Sequence, residues 1–180
     1  MIILGIDPGS HKTGYGLIEC GGSQSKVIAL GCLKARPGAS LSVRLLTIHQ
    51  GLSEVIQKYQ PQEAAVEATF YGKNVHSALV MGHARGVCLL AVEQADCKLF
   101  EYSPLEVKKA VVGQGRAGKG QVGFMVRALM GLKTNPQEDE ADALAVALCH
   151  WQRRQFSLKV QKVSKVENVD LSRLRSKGDS

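Results

Sequence analysis

Four carboxylates are spaced so that folding could gather them. Asp7 ends the apolar opening run Met1–Ile6, which has the continuous hydrophobicity of a strand buried on both faces. Glu67 stands near the end of a short strand around Ala64-Ala65-Val66 that follows the first long helical pattern. A right-handed crossover would lay that strand parallel to the first and beside it. Both acids would then leave the sheet at neighbouring carboxyl ends, where ligand sites lie. Asp139 and Asp142 are three apart in a helical segment and share one side of it, which continues through Val146 and Cys149. Four acids meeting without a counter-ion repel, and some of their pKa values rise. Hard divalent cations want such oxygen ligands, and two of them roughly 4 Å apart activate a water and stabilise a leaving oxygen in phosphodiester hydrolysis. Each acid alone has a plainer reading, as a turn residue or a complement to a helix dipole. The chemistry belongs to the set.

The elements that must position them follow from periodicity and turn signals. After the first strand, Pro8-Gly9-Ser10 breaks the chain, Gly14 to Cys20 resumes as a strand, and Gly21-Gly22 turns into a third around Lys26 to Leu33. Leu45, Ile48, Leu52, Ile56 and Tyr59 mark a helix capped by Ser40 or Ser42 and stopped by Pro61. A strand over Glu63 to Ala68, a helix over Asn74 to Glu93 and a strand over Lys98 to Tyr102 come next. Ser103-Pro104-Leu105-Glu106 is a capping box with proline at the first helical position, and that helix ends near Gly113. A helix from about Gln121 to Leu132 and a last one, signalled by Asn135-Pro136-Gln137-Glu138 and ending near Trp151, complete the order β-β-β-α-β-α-β-α-α-α. This is an α/β chain with a mixed five-stranded sheet and helices on both faces. One domain over 1–152 and a basic, flexible tail over 153–180 are expected, with no internal repeat.

Composition narrows the function classes. No apolar run is expected to reach the roughly 18 residues of a membrane span, and the N-terminus lacks the basic region of a signal peptide. The 5 cysteines have no Cys-x-x-Cys spacing, which excludes a zinc ribbon and suits a reduced, cytoplasmic protein. The net charge of +7 is unevenly spread. Residues 153–180 hold 8 Lys/Arg against 3 Asp/Glu, and 107–137 hold Lys108, Lys109, Arg116, Lys119, Arg127 and Lys133 with no acid. Clustered positive charge is what phosphate binding needs, although a solvated lysine face has the same composition.

Several motifs stand in one order: Ile6-Asp7-Pro8-Gly9-Ser10, Thr13-Gly14-Tyr15-Gly16, Val66-Glu67, Lys73-Asn74, Ala84-Arg85-Gly86, Phe100-Glu101-Tyr102, Val111-Val112-Gly113 and Asp142-Ala143-Leu144-Ala145. Over about residues 1 to 151 the chain resembles the RuvC Holliday-junction resolvases, bacterial endonucleases with a ribonuclease H-like fold. The resemblance implies that Asp7, Glu67, Asp139 and Asp142 are catalytic metal ligands, with two Mg²⁺ per site during catalysis and Mn²⁺ as a substitute. It also implies paired symmetric nicking of four-way junction DNA by a homodimer, in recombination and repair. A RuvA-RuvB branch-migration complex as partner and a bacterial cytoplasmic location are implied in the same way.

Two loops bear on DNA. Gly113 to Gly120 nearly fits the phosphate loop G-x-x-x-x-G-K-[ST] but ends in Gly120, which has no hydroxyl for Mg²⁺, and it follows a helix, so a nucleotide-hydrolysing site is excluded. It reads instead as a basic loop near a DNA phosphate or as a simple helix connection. The resemblance places DNA contacts at Lys108 and Lys119, with Arg116 between them. Phe70-Tyr71-Gly72-Lys73-Asn74 sets adjacent aromatics beside a lysine. Exposed rings there could stack on or wedge between bases, or Phe70 could cover a core edge. The resemblance favours Phe70 against junction DNA, with Lys73 and Asn74 beside it. Ala78, Gly82 and Gly86 form a small-residue ridge on the second helix, suited to close approach by another helix of the chain or by a dimer partner. The five histidines show no ligand spacing, and only His11 and His76 fall in loops next to the strands that carry the acids. Two other classes fit the pattern less well: an actin-like ATPase needs two such domains, and a DNA-binding module without catalysis would have lost one of the four acids.

Overall fold

The computed structural model describes residues 1–22, 24–68, 74–113 and 119–175, the side chains of Lys119 and of 161–175 excepted. Five strands, β1 (Ile2–Asp7), β2 (Lys12–Gly21), β3 (Gln24–Lys34), β4 (Glu63–Glu67) and β5 (Lys98–Tyr102), form one sheet in the order β3-β2-β1-β4-β5. The first three pair antiparallel, whereas β4 and β5 pair parallel through helical crossovers. Helices α1 (Leu41–Tyr59), α2 (Val75–Glu93), α3 (Pro104–Val112), α4 (Lys119–Met130) and α5 (Glu138–Arg175) complete the expected order.

Period-2 alternation divides the sheet between two cores. Leu4, Ile6, Leu17, Ala64 and Val66 pack with Ile48, Leu52 and Ile56 of α1 and Ala84, Cys88 and Val92 of α2. Ile3, Ile18 and Ala65 face the other way, against α3, α4 and the apolar run of α5 from Ala143 to Cys149. Asp7 and Glu67 fall in phase with Ile3 and Ala65, and so lie on the α5 side.

Caps set the helix ends. Ser40 accepts from the Val43 N–H at the start of α1, and the capping box of Ser103 and Glu106 forms as expected. α5 begins later than the Asn135 signal implied. The Gln137 N–H donates to the Glu140 carboxylate at 2.8 Å, so the reciprocal cap sits two residues on. The same helix continues to Arg175, well past Trp151. α4 begins at Lys119 and ends at Met130, slightly earlier than its apolar pattern suggested. All five cysteines are free.

One expectation fails. Val75–Glu93 is long and apolar enough, with a mean hydropathy of 1.4, to pass the length and composition test for a membrane span. Glycines and alanines dilute its large apolar side chains, so no unbroken oily run is visible in the sequence. Only 22% of that window is buried. Its outer face is a stripe of exposed Val75, Leu79 and Leu90.

Candidate active site

Register brings the acids together. Ile6 pairs with Val66 in the parallel β1–β4 ladder, so the next residues, Asp7 and Glu67, leave adjacent strand ends side by side. On the other flank Asp7 is paired with Gly14 of β2, and Gly14 with Cys32 of β3. Above this row lies the first turn of α5. A Cβ on Gly14 would stand 1.9 Å from the Asp139 carbonyl oxygen, and one on Gly5 would stand 2.0 Å from the Ala143 carbonyl oxygen. These glycines let the helix backbone rest on the sheet itself, which is what carries Asp139 and Asp142 to Asp7. The loop after Asp7 is tied by Thr13, whose hydroxyl donates to the Gly9 carbonyl at 2.9 Å.

The electrostatics are those of like charges crowded at a half-buried rim. Burial, then the charges of Asp142, Glu67, Asp139 and Glu138, push the Asp7 carboxyl up to about 8. Burial and Asp142 raise Glu67 as well, and Lys108 of α3 opposes them. The Cys32 thiol donates to the Asp139 carboxylate, with Sγ 3.7 Å from Oδ2. Cys32 went unnoticed in the sequence, where its only signal is its phase on β3.

Among the described residues no three side chains already converge as a closed metal cage. The donor chemistry nevertheless fits a hard divalent cation. It is all oxygen, short of positive charge and open to water, the setting in which a cation such as Mg²⁺ is held by a few carboxylates plus solvent. Of the expected DNA contacts, Lys108 acts electrostatically on Glu67, and the Asn74 side chain caps α2 by accepting from the Ser77 N–H at 3.1 Å. Phe70, Lys73, Arg116 and the side chain of Lys119 lie outside the described residues. Ala78 is partly buried, whereas Gly82 and Gly86 are exposed with no atom within 4 Å of a built Cβ.

The sheet order, antiparallel over β1–β3 and parallel from β1 through β4 to β5, defines a ribonuclease H-like α/β fold. The yeast mitochondrial Holliday junction resolvase Ydc2 shares that fold at a TM-score of 0.63, with 17% identity over 87% of this chain and 80% of its own. Sequence comparison is more specific. The family described as "Crossover junction endodeoxyribonuclease RuvC" matches residues 3–150. A crossover junction endodeoxyribonuclease RuvC from Desulforamulus reducens is 50% identical over 153 residues, covering 84% of this chain and 94% of the relative. The structure of Thermus thermophilus RuvC in complex with Holliday junction substrate superposes at a TM-score of 0.81, with 33% identity over 87% of this chain and 96% of that one. The chain belongs to the RuvC family of crossover junction endodeoxyribonucleases. Nucleases of this type resolve Holliday junctions and are metal-dependent.

Proposed function

We propose that this protein resolves four-way DNA junctions by hydrolysing one phosphodiester in each of two opposing strands, using Asp7, Glu67, Asp139 and Asp142 as the ligands of two Mg²⁺ ions, with Mn²⁺ able to replace them. The observation that carries this reading is the mutual charge coupling of four acids at the sheet's carboxyl end, in a chain of this family. When bound, the ions supply Lewis-acid activation of water and stabilisation of the leaving oxygen. The chain's own residues do the rest. Burial and then the neighbouring acids push the Asp7 carboxyl up to about 8, so Asp7 would have to release its proton to ligate a cation. Gly5 and Gly14 fix the height of α5 over the sheet, and so the separation of Asp139 and Asp142 from Asp7. Lys108 brings positive charge to the rim beside Glu67, where a phosphate would lie. Phe70, Lys73 and Asn74 follow Glu67 directly in the chain, and Arg116 and Lys119 follow the helix of Lys108. We assign them to junction contacts.

A four-way junction has two-fold symmetry, and an isologous dimer presents one site to each of two strands. The outer stripe of α2 supports a second copy as its occupant. Val75 is 73% exposed, Leu79 60% and Leu90 51%, and Gly82 and Gly86 between them leave room for a partner backbone. A RuvA-RuvB complex as partner and a bacterial cytoplasmic setting belong to the same reading. The deciding experiment incubates purified protein with Mg²⁺ and either a four-way junction or a linear duplex of the same sequence. Symmetric paired nicks confined to the junction are expected. Equal cutting of the duplex, or none of the junction, overturns the reading. Gly82→Trp should weaken both dimerisation in sedimentation and the pairing of the nicks.

A further inference from the structure

The corner of the sheet on the far flank from Lys108 has anion chemistry of its own. His11 and Lys12 at the start of β2, Lys34 at the end of β3, Arg36 in the connection to α1, and Arg44 in α1 line one groove. Lys12 and Lys34 are direct partners in the β2–β3 ladder, a placement in which like charges repel. Arg44 Nη1 lies 2.6 Å from His11 Nε2, a contact that requires a neutral, accepting ring. Arg44 Nε is buried and, among the described residues, has no acceptor. Among those residues none of Lys12, Lys34, Arg36 and Arg44 makes an ion pair with a carboxylate; Lys34 reaches only the Gln137 side-chain oxygen, at 3.2 Å. α1 begins here with no acid in its first turn, so the positive end of its dipole adds to the same field. Positive charge gathered at this density without direct ion pairs among the described residues favours the arrival of an anion.

The groove adjoins the active site. Lys34 and Lys12 act electrostatically on Cys32, whose thiol meets Asp139. Lys108 acts on Glu67 at the opposite flank. Among the described residues no aromatic ring apart from the His11 imidazole lines the groove, so it offers phosphate contacts and no stacking platform for bases.

We infer that this groove binds the phosphodiester backbone of a DNA strand, so that DNA crossing the carboxylates is gripped on both flanks; the inference rests on the junction-nuclease reading above. Its test is the salt dependence of binding. Anisotropy of a labelled four-way junction, in EDTA so that nothing is cut, is followed between about 50 and 200 mM salt, the range over which phosphate contacts weaken strongly. Against wild type, Lys12→Ala/Lys34→Ala/Arg36→Ala should lower the slope of log K against log salt by about 2.7, at roughly 0.9 per phosphate. The loss of affinity across that range would then be about 40-fold smaller. Arg36→Ala alone, at an exposed loop position, should lower the slope by about 0.9. Lys12→Arg/Lys34→Arg/Arg36→Lys should restore it. An unchanged slope overturns the inference, as does a loss that the charge-retaining triple fails to restore. The junction-nuclease reading fails separately, if wild type binds and cuts a linear duplex as well as a junction. In that case a slope change seen on the duplex still assigns the groove to DNA phosphate.

Discussion

Glu63 and Glu67 stand four residues apart on one face of β4, under the same helix, in opposite surroundings. Glu63 is 7% exposed and fully partnered. His150 Nε2 donates to one of its oxygens at 2.7 Å, and Arg154 lies 3.5 Å from the other. The Tyr102 hydroxyl is 2.7 Å from His150 Nδ1, while Phe100 packs on that ring at 4.3 Å between centroids. Burial holds the His150 pKa below its ordinary value. Glu67 feels the charges of Asp142 and Asp7, and among the described residues Lys108 opposes them. One end of the α5–sheet contact pairs its buried carboxylate with cationic and neutral donors, and the other crowds carboxylates against one another. The first is how a protein holds a helix in register. The second costs stability, and perturbed acids of that kind cluster at functional sites.

The largest expected effects separate the two ends by activity. Asp7→Asn, Glu67→Gln, Asp139→Asn and Asp142→Asn should each lower junction cleavage by at least about 1000-fold while leaving junction binding nearly intact, because ligation needs the charge and affinity comes from phosphate contacts. Glu63→Gln should leave cleavage within about threefold. A Glu63→Gln enzyme as dead as Glu67→Gln would erase the distinction. At the satisfied end the readout is stability. His150→Ala leaves one oxygen of a buried carboxylate without its donor and should cost about 2 kcal/mol, seen as a fall in Tm of roughly 4–8 °C. His150 titrates in the unfolded chain near 6.5 and lower in the fold. Wild type should therefore lose stability as pH falls below 6.5, and His150→Ala should lose much of that dependence. Equal melting of wild type and His150→Ala at pH 7 would show that the network holds nothing.

How much of this was legible in the sequence depends on how local its cause is. Asp7, Glu67 and the Asp139/Asp142 pair could be read from strand ends and a three-residue helical spacing. The Ser103–Glu106 cap was equally local. Gly5, Gly14 and Gly16 read only as weak strand positions, because the helix they admit arrives more than a hundred residues later. The Glu63–His150 pair spans 87 positions, and His150, inside an apolar run, had no local mark. α5 passed its expected end because a polar, basic composition resembles a tail, although no glycine or proline interrupts Trp151 to Arg175. The apolar α2 looked like any core helix, and only its burial distinguishes it.

A smaller effect tests whether the crowded end is costly to the fold. The Asp7 carboxyl is raised to about 8 in the fold from an ordinary value of 3.8. The folded state therefore holds an extra proton between those values, and metal-free stability should fall as pH rises through that window and level off above about 8. Asp7→Asn removes the charge. In EDTA at pH 8 or above it should melt at least about 3 °C higher than wild type, the shift for roughly 1 kcal/mol in a chain of this size, with the advantage shrinking toward pH 5. Mg²⁺ should raise the Tm of wild type more than that of Asp7→Asn. A variant less stable than wild type at pH 8 would mean that Asp7 is a satisfied structural acid like Glu63.

The smallest effect concerns a cation that softens the contrast, Lys108. Lys108 is the positive charge bearing on Glu67, and it leads the 107–137 basic stretch. Lys108→Ala should leave the fold untouched, since the residue is only partly buried and no buried carboxylate depends on it as Glu63 depends on His150. It should lower the slope of log K against log salt for junction binding by about 0.9, one released counter-ion. It should also move Glu67 further up, so that half-maximal cleavage requires a higher pH at fixed Mg²⁺; Lys108→Arg should preserve both properties. If Lys108→Ala changes neither the salt slope nor the pH profile, Lys108 is a solvated surface charge. Glu67 would then stand among acids with no relief from α3 at all.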